Sequence, residues 1–153
     1  MSSGIPSPGS LREELEDYLR ERLGEPTDEA ALAAYLHDAE QRSFRDRVFE
    51  AIRNSGLPDV EVYSRAGISK STFSRIRSGV RPAKEVAIAL AFVLRLSDVQ
   101  TDALLGSAGY SLSKSSVADL IVRFFLERGV HDLPTVNDAL YAHHQPLLAG
   151  VRD

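Results

Sequence analysis

Residues 59–79 read DVEVYSRAGISKSTFSRIRSG, two short helical patterns on either side of a glycine. Val62 and Ala66 are four apart, the spacing that puts two side chains on one face of a helix. Gly67 follows at once, where a tight turn can use positive φ, and Ile68 gives that turn an apolar plug. Ser69 is placed to cap the next helix. Thr72 stands three residues on, so the pattern gives a cap without a reciprocal capping box. Phe73 and Ile76 form an inward i, i+3 pair, which leaves Lys70, Ser71, Ser74, Arg75, Arg77 and Ser78 facing out. A short helix anchored by two apolar residues and covered with basic and hydroxyl side chains suits the major groove of DNA.

The stretch from Gly67 to Ile76 resembles the turn and recognition helix of the Cro/C1-type (XRE) helix-turn-helix family. Gly79 with Arg81-Pro82 resembles the loop that follows. The run Ala87 to Leu94 resembles the family's next helix, and Leu96-Ser97 through Leu104-Leu105 its closing short helix. The likeness covers roughly residues 44 to 105. It implies an all-α fold and double-stranded DNA as the partner. The contact set it implies is Ser69, Lys70, Ser71, Ser74, Arg75, Arg77, Ser78 and Arg81. Arg75 is the expected base reader. Lys70 and Ser71 lie at the start of the helix, where base edges and phosphates are nearest, and Arg81 is the expected phosphate contact. Two positions depart from the family. Asp59 stands where the family has a glutamine near the DNA backbone. Tyr63 stands where it prefers alanine, so that the ring must splay the two helices or lie along their crevice.

Composition narrows the alternatives. The chain has 153 residues, 43% of them hydrophobic, enough to bury a core. It has no cysteine, so a disulfide framework and a thiolate metal site are both excluded. No apolar run reaches the ~20 residues that span a bilayer. Residues 1–10, MSSGIPSPGS, lack the basic and apolar regions of a secretory signal and read as a disordered lead. The expected compartment is the cytoplasm. The net charge is −4, but its distribution is uneven: −6 over residues 11–50, +5 over 51–95 and −3 over 96–153. The quoted motif therefore sits in the only basic segment. Lys70, Arg75, Arg77 and Arg81 fall close together there, the footprint expected of a small DNA-binding face.

Outside the motif the periodicity is helical throughout. Leu11, Leu15, Tyr18, Leu19 and Leu23 make an apolar stripe ended by Gly24, and Thr27 caps a second stripe from Ala31 to Ala39. Residues 11–42 thus read as an N-terminal helical extension. Ser43 with Asp46 opens the helix-turn-helix domain, residues 43–105, whose first helix buries Phe44, Val48, Phe49 and Ile52. Residues 83–96 are apolar on nearly every side, which predicts a central, buried helix. Ser97 caps a short helix broken at Gly106-Ser107-Ala108-Gly109. Ser116 opens an apolar helix ended by Gly129, and Thr135 with Asp138 caps a last one closed by Pro146. Residues 106–153 read as a C-terminal helical extension packed on the motif. They also resemble a segment that follows this kind of helix-turn-helix in some bacterial proteins linked to conflict or defence systems. No strand or internal repeat is found.

Enzymatic chemistry finds little footing. His143 and His144 are adjacent and cannot share a helix face, and His37 and His131 are isolated beside Asp38 and Asp132. Gly106 and Gly109 do not fit a phosphate loop, and no serine has a nucleophile-elbow context. No cofactor or metal is expected. Of the adjacent pair Phe124 and Phe125, one is expected to fill the core and leave the other on a second surface, most simply a homodimer interface, which the sequence assigns either to the Val117–Leu126 helix or to the N-terminal Leu11–Leu23 helix. The sequence therefore reads as an all-α, compact helical domain with a central Cro/C1-type motif and extra N- and C-terminal helices. Its expected role is sequence-specific DNA binding as a homodimeric bacterial transcriptional regulator. The alternative is a helix-turn-helix that has lost DNA affinity and joins a protein partner as an adaptor or antitoxin-like module.

Overall fold

Ala87 to Phe92 is a run of six residues without a polar side chain, and a helix made of them has no face to offer to water. The computed structural model, which describes residues 12–18, 33 and 44–148, places that run at the centre of a helical fold. All six residues are buried. The chain divides into two units, residues 1–39 and 40–153. In the first, residues 12–18 form helix α1, with Leu15 and Tyr18 about half exposed. The disordered lead expected at residues 1–10, most of the second apolar stripe and the expected start at Ser43 lie outside the described residues.

The second unit contains α2 (residues 44–55), α3 (Asp59–Ala66), α4 (Lys70–Arg77), α5 (Lys84–Val93), α6 (Asp98–Ser107), α7 (Val117–Glu127) and α8 (Leu133–Ala142). The described residues are all-α and contain no strand. Helices α3, α6 and α8 pack on α5, α4 packs on α3, and α7 packs on α6 and α8. One core joins Phe44, Val48 and Ile52 of α2 to Phe73 and Ile76 of α4, and continues to Val122, Leu126 and Leu140 in the C-terminal helices. Residues 106–148 thus share the core of the motif rather than resting on a finished domain.

Local chemistry sets the ends of the elements. Ser97 accepts from the amide of Gln100, whose side chain accepts from the Ser97 amide, a full capping box at α6. Helix α6 then runs through Gly106 to Ser107, past the break expected at Gly106, and turns at Gly109 with φ 80°. The expected cap at Thr135 is corrected. Asp132 caps α8 by accepting from the Thr135 amide, and Pro134 sits in the first turn, where its missing amide costs no helical hydrogen bond.

Polar ties fasten the C-terminal helices to α5 and α6. Asp119 of α7 is buried, and its Oδ2 accepts from Lys84 Nζ at 2.8 Å and from the Ser113 amide at 2.7 Å. Arg123 of α7 spans Asp98 and Asp102 of α6, and hydrogen bonding to Asp102 above all holds its guanidinium even further toward the charged form. A buried carboxylate stripped of its cation keeps its desolvation cost and loses its attraction. Lys84→Met is therefore expected to destabilise the fold by about 2–4 kcal/mol in urea unfolding. Asp98→Asn, at a partly exposed pair, is expected to cost about 1 kcal/mol or less.

Candidate nucleic-acid interface

The turn between α3 and α4 is three residues long. Gly67 takes φ 68° and ψ 25°, its amide donates to Ser64 O, and the Ile68 amide donates to Tyr63 O at 3.0 Å. This is the paired hydrogen-bond pattern that closes a helix through a left-handed residue, a conformation glycine adopts without a Cβ penalty. Ser69 then caps α4 by accepting from the Thr72 amide at 3.0 Å. Buried Val62 and Ala66 on α3, Ile68 in the turn, and Phe73 and Ile76 on α4 anchor the pair to the core. Tyr63 is half-buried with its ring 5.3 Å from that of Phe73, so it lies along the crevice.

The predicted contact residues divide into two groups. Ser69, Arg77, Ser78 and Arg81 have internal tasks. The Ser69 hydroxyl is the cap, and the Ser78 hydroxyl donates to Arg75 O at 2.8 Å. The Arg77 guanidinium pairs with Asp59 and stacks over the rings of Phe49 at 5.0 Å and Phe73 at 5.5 Å. Arg81 donates to Ala108 O at 3.0 Å and covers the Tyr110 ring at 4.9 Å. Lys70, Ser71, Ser74 and Arg75 remain on the outer face of α4, all exposed. Ser71 shares a 3.1 Å contact with the Ser69 hydroxyl. The side chains of Lys70, Ser74 and Arg75 make no hydrogen bond or ion pair among the described residues.

Asp59 is not a cap. Pro58 holds the cap position of α3 with no side-chain hydrogen bond, and Asp59 lies in the first turn, where its charge also favours the positive end of the helix. Its main partner is Arg77, a link the sequence reasoning missed. The two are eighteen residues apart, and only the return of the chain through Gly67 brings them together. The described histidines offer no constellation. His131 Nε2 donates to Leu96 O at 2.8 Å beside Phe92, and no metal-binding group of three or more ligands occurs among the described residues. No described helix is long and apolar enough to cross a membrane. Comparison with protein-family models, curated proteins and solved structures finds no match to this chain.

The two arginines of α4 should separate in a stability measurement made without any ligand. Arg77→Ala removes a guanidinium from two aromatic rings and from Asp59, and is expected to lower unfolding free energy by about 1–2 kcal/mol. Arg75→Ala is expected to stay within about 0.5 kcal/mol of the parent. Equal losses in urea unfolding would show that Arg75 also has a structural task.

Proposed function

We propose that this chain is a sequence-specific DNA-binding regulator of the Cro/C1-type class, a cytoplasmic homodimer that presents α4 to the major groove. The observation that carries the reading is the outer face of α4, where Lys70, Ser74 and Arg75 have no side-chain partner among the described residues. Lys70, Ser71, Ser74 and Arg75 stand together on a helix held by Phe73 and Ile76, while the nearby Arg77 and Arg81 are engaged within the fold. Arg75 takes the role of base reader because a guanidinium matches the acceptor pair of guanine, and Lys70 at the helix start takes a phosphate or a base edge. The basic segment around the motif supports the same reading, since it is the part of an otherwise acidic chain that would draw a polyanion.

The second reading, a protein-interaction module, draws on Asp59. An acidic residue at the start of α3 occupies the Arg77 cation that a phosphate would otherwise attract. DNA binding at two salt concentrations separates the readings, because phosphate contacts release counterions and make affinity fall steeply with salt. Under the DNA reading, Arg75→Ala costs about 1–3 kcal/mol on the selected site and blurs base preference. Lys70→Ala weakens all sequences alike and reduces the salt slope by about one, if its contact is to phosphate. Asp59→Asn releases Arg77 and tightens binding. Absence of any salt-sensitive complex, with the fold intact, overturns the DNA reading. Equal losses on selected and random duplexes for Arg75→Ala remove that residue from the reader role.

A further inference from the structure

Helix α7 turns Asp119, Val122 and Leu126 inward and leaves a second apolar stripe outside. Val117, Leu120 and Phe124 are 49%, 48% and 46% exposed, with Ile121 half-buried between them. Their spacing is i, i+3, i+4, i+7, the pattern of a helix face that meets another helix. Within the described residues of the second unit, the Phe125 ring meets that of Phe124 at 5.2 Å and the Arg128 guanidinium lies 3.6 Å from the centre of the Phe124 ring, yet about half of Val117, Leu120 and Phe124 stays exposed.

The charges at the two ends of the stripe are complementary to each other. Lys114 stands just before the Ser116 cap of α7, and Glu127 is the last residue of the helix. Both are exposed, and neither makes an ion pair or side-chain hydrogen bond among the described residues. Both line the same shallow cleft of about 270 Å³ together with Leu120, which places them on one side of the stripe. Lys114 and Glu127 are equally far in sequence from the Leu120–Ile121 peptide bond, and so are Val117 and Phe124.

We infer that the outer face of α7 pairs antiparallel with α7 of a second copy of this chain, about a two-fold axis at Leu120–Ile121. An isologous contact requires each patch to complement itself. Here the axis sets Val117 against Phe124 of the second copy, and Leu120 against Ile121. It sets Lys114 against Glu127 twice, once at each end of the contact. This rests on the DNA reading in one respect, since a two-fold pair of α4 helices suits a palindromic site.

The test uses the full chain without DNA, in sedimentation equilibrium at about tens of micromolar, where dimers with micromolar dissociation constants assemble. The parent is expected to dimerise, and Leu120→Asp to be monomeric with an unchanged far-ultraviolet spectrum. Lys114→Glu and Glu127→Lys each convert two attractive pairs into two repulsive ones and are expected to weaken the homodimer about tenfold. Mixed one to one, these two variants are expected to form a heterodimer as tight as the parent dimer, since every pair is again of opposite sign. That rescue is beyond a variant that simply misfolds. A monomeric parent overturns the inference. A dimer indifferent to Leu120→Asp, or no rescue on mixing, places the interface elsewhere. A dimer that passes these tests but binds no DNA overturns only the DNA reading. Salt-sensitive DNA binding by a strict monomer overturns this inference and the homodimer of the proposed function, and leaves the DNA reading standing.

Discussion

A helix without an exposed side chain from Ala87 to Phe92 must be covered from every direction, and the remaining elements are arranged to do so. Helix α3 covers one side, α6 another and α8 a third. This is why the C-terminal helices cannot be an optional addition. Without α7 and α8, the core side chains Leu104, Leu105 and Phe92 would lose part of the cluster that shields them. The outer face of α4 is a consequence of the same arrangement. Phe73 and Ile76 are drawn into the core, so the residues between and around them are left to solvent.

The cations of this chain compete between internal and external tasks. Lys84, Arg77, Arg81 and Arg123 are all held by partners within the fold. Lys70 and Arg75 are not. Positive charge counted along the sequence therefore overstates what α4 and its surroundings can offer an anion. The electrostatic case for a DNA face rests on the side chains left over after internal pairing.

Features set by consecutive residues were legible in the sequence. The left-handed turn at Gly67, the cap at Ser69, the buried helix around Ala87–Phe92 and the exposed Phe124 beside half-buried Phe125 follow from local spacing and residue type. Features set by chain return were not. Arg75 and Arg77 are the same residue type two positions apart, and nothing local tells the free one from the paired one. The difference comes from Asp59 and Phe49, distant in sequence. The Lys84–Asp119 pair spans thirty-five residues and was equally hidden. At α8 the sequence pointed to Thr135 as the cap, whereas the helix starts earlier, with Asp132 as the cap and Pro134 inside the first turn, where proline is accepted.

Five alanines, Ala66, Ala87, Ala89, Ala91 and Ala108, are almost wholly buried around the same centre. Small side chains at these points let helix backbones approach one another closely, and leave no space into which a side chain can grow. The core is therefore asymmetric in what it tolerates. Trimming a large neighbour leaves a cavity that the surroundings can partly close, whereas adding methyl groups at an alanine pushes two backbones apart. Substitutions at this centre are therefore expected to be tolerated only where they conserve volume.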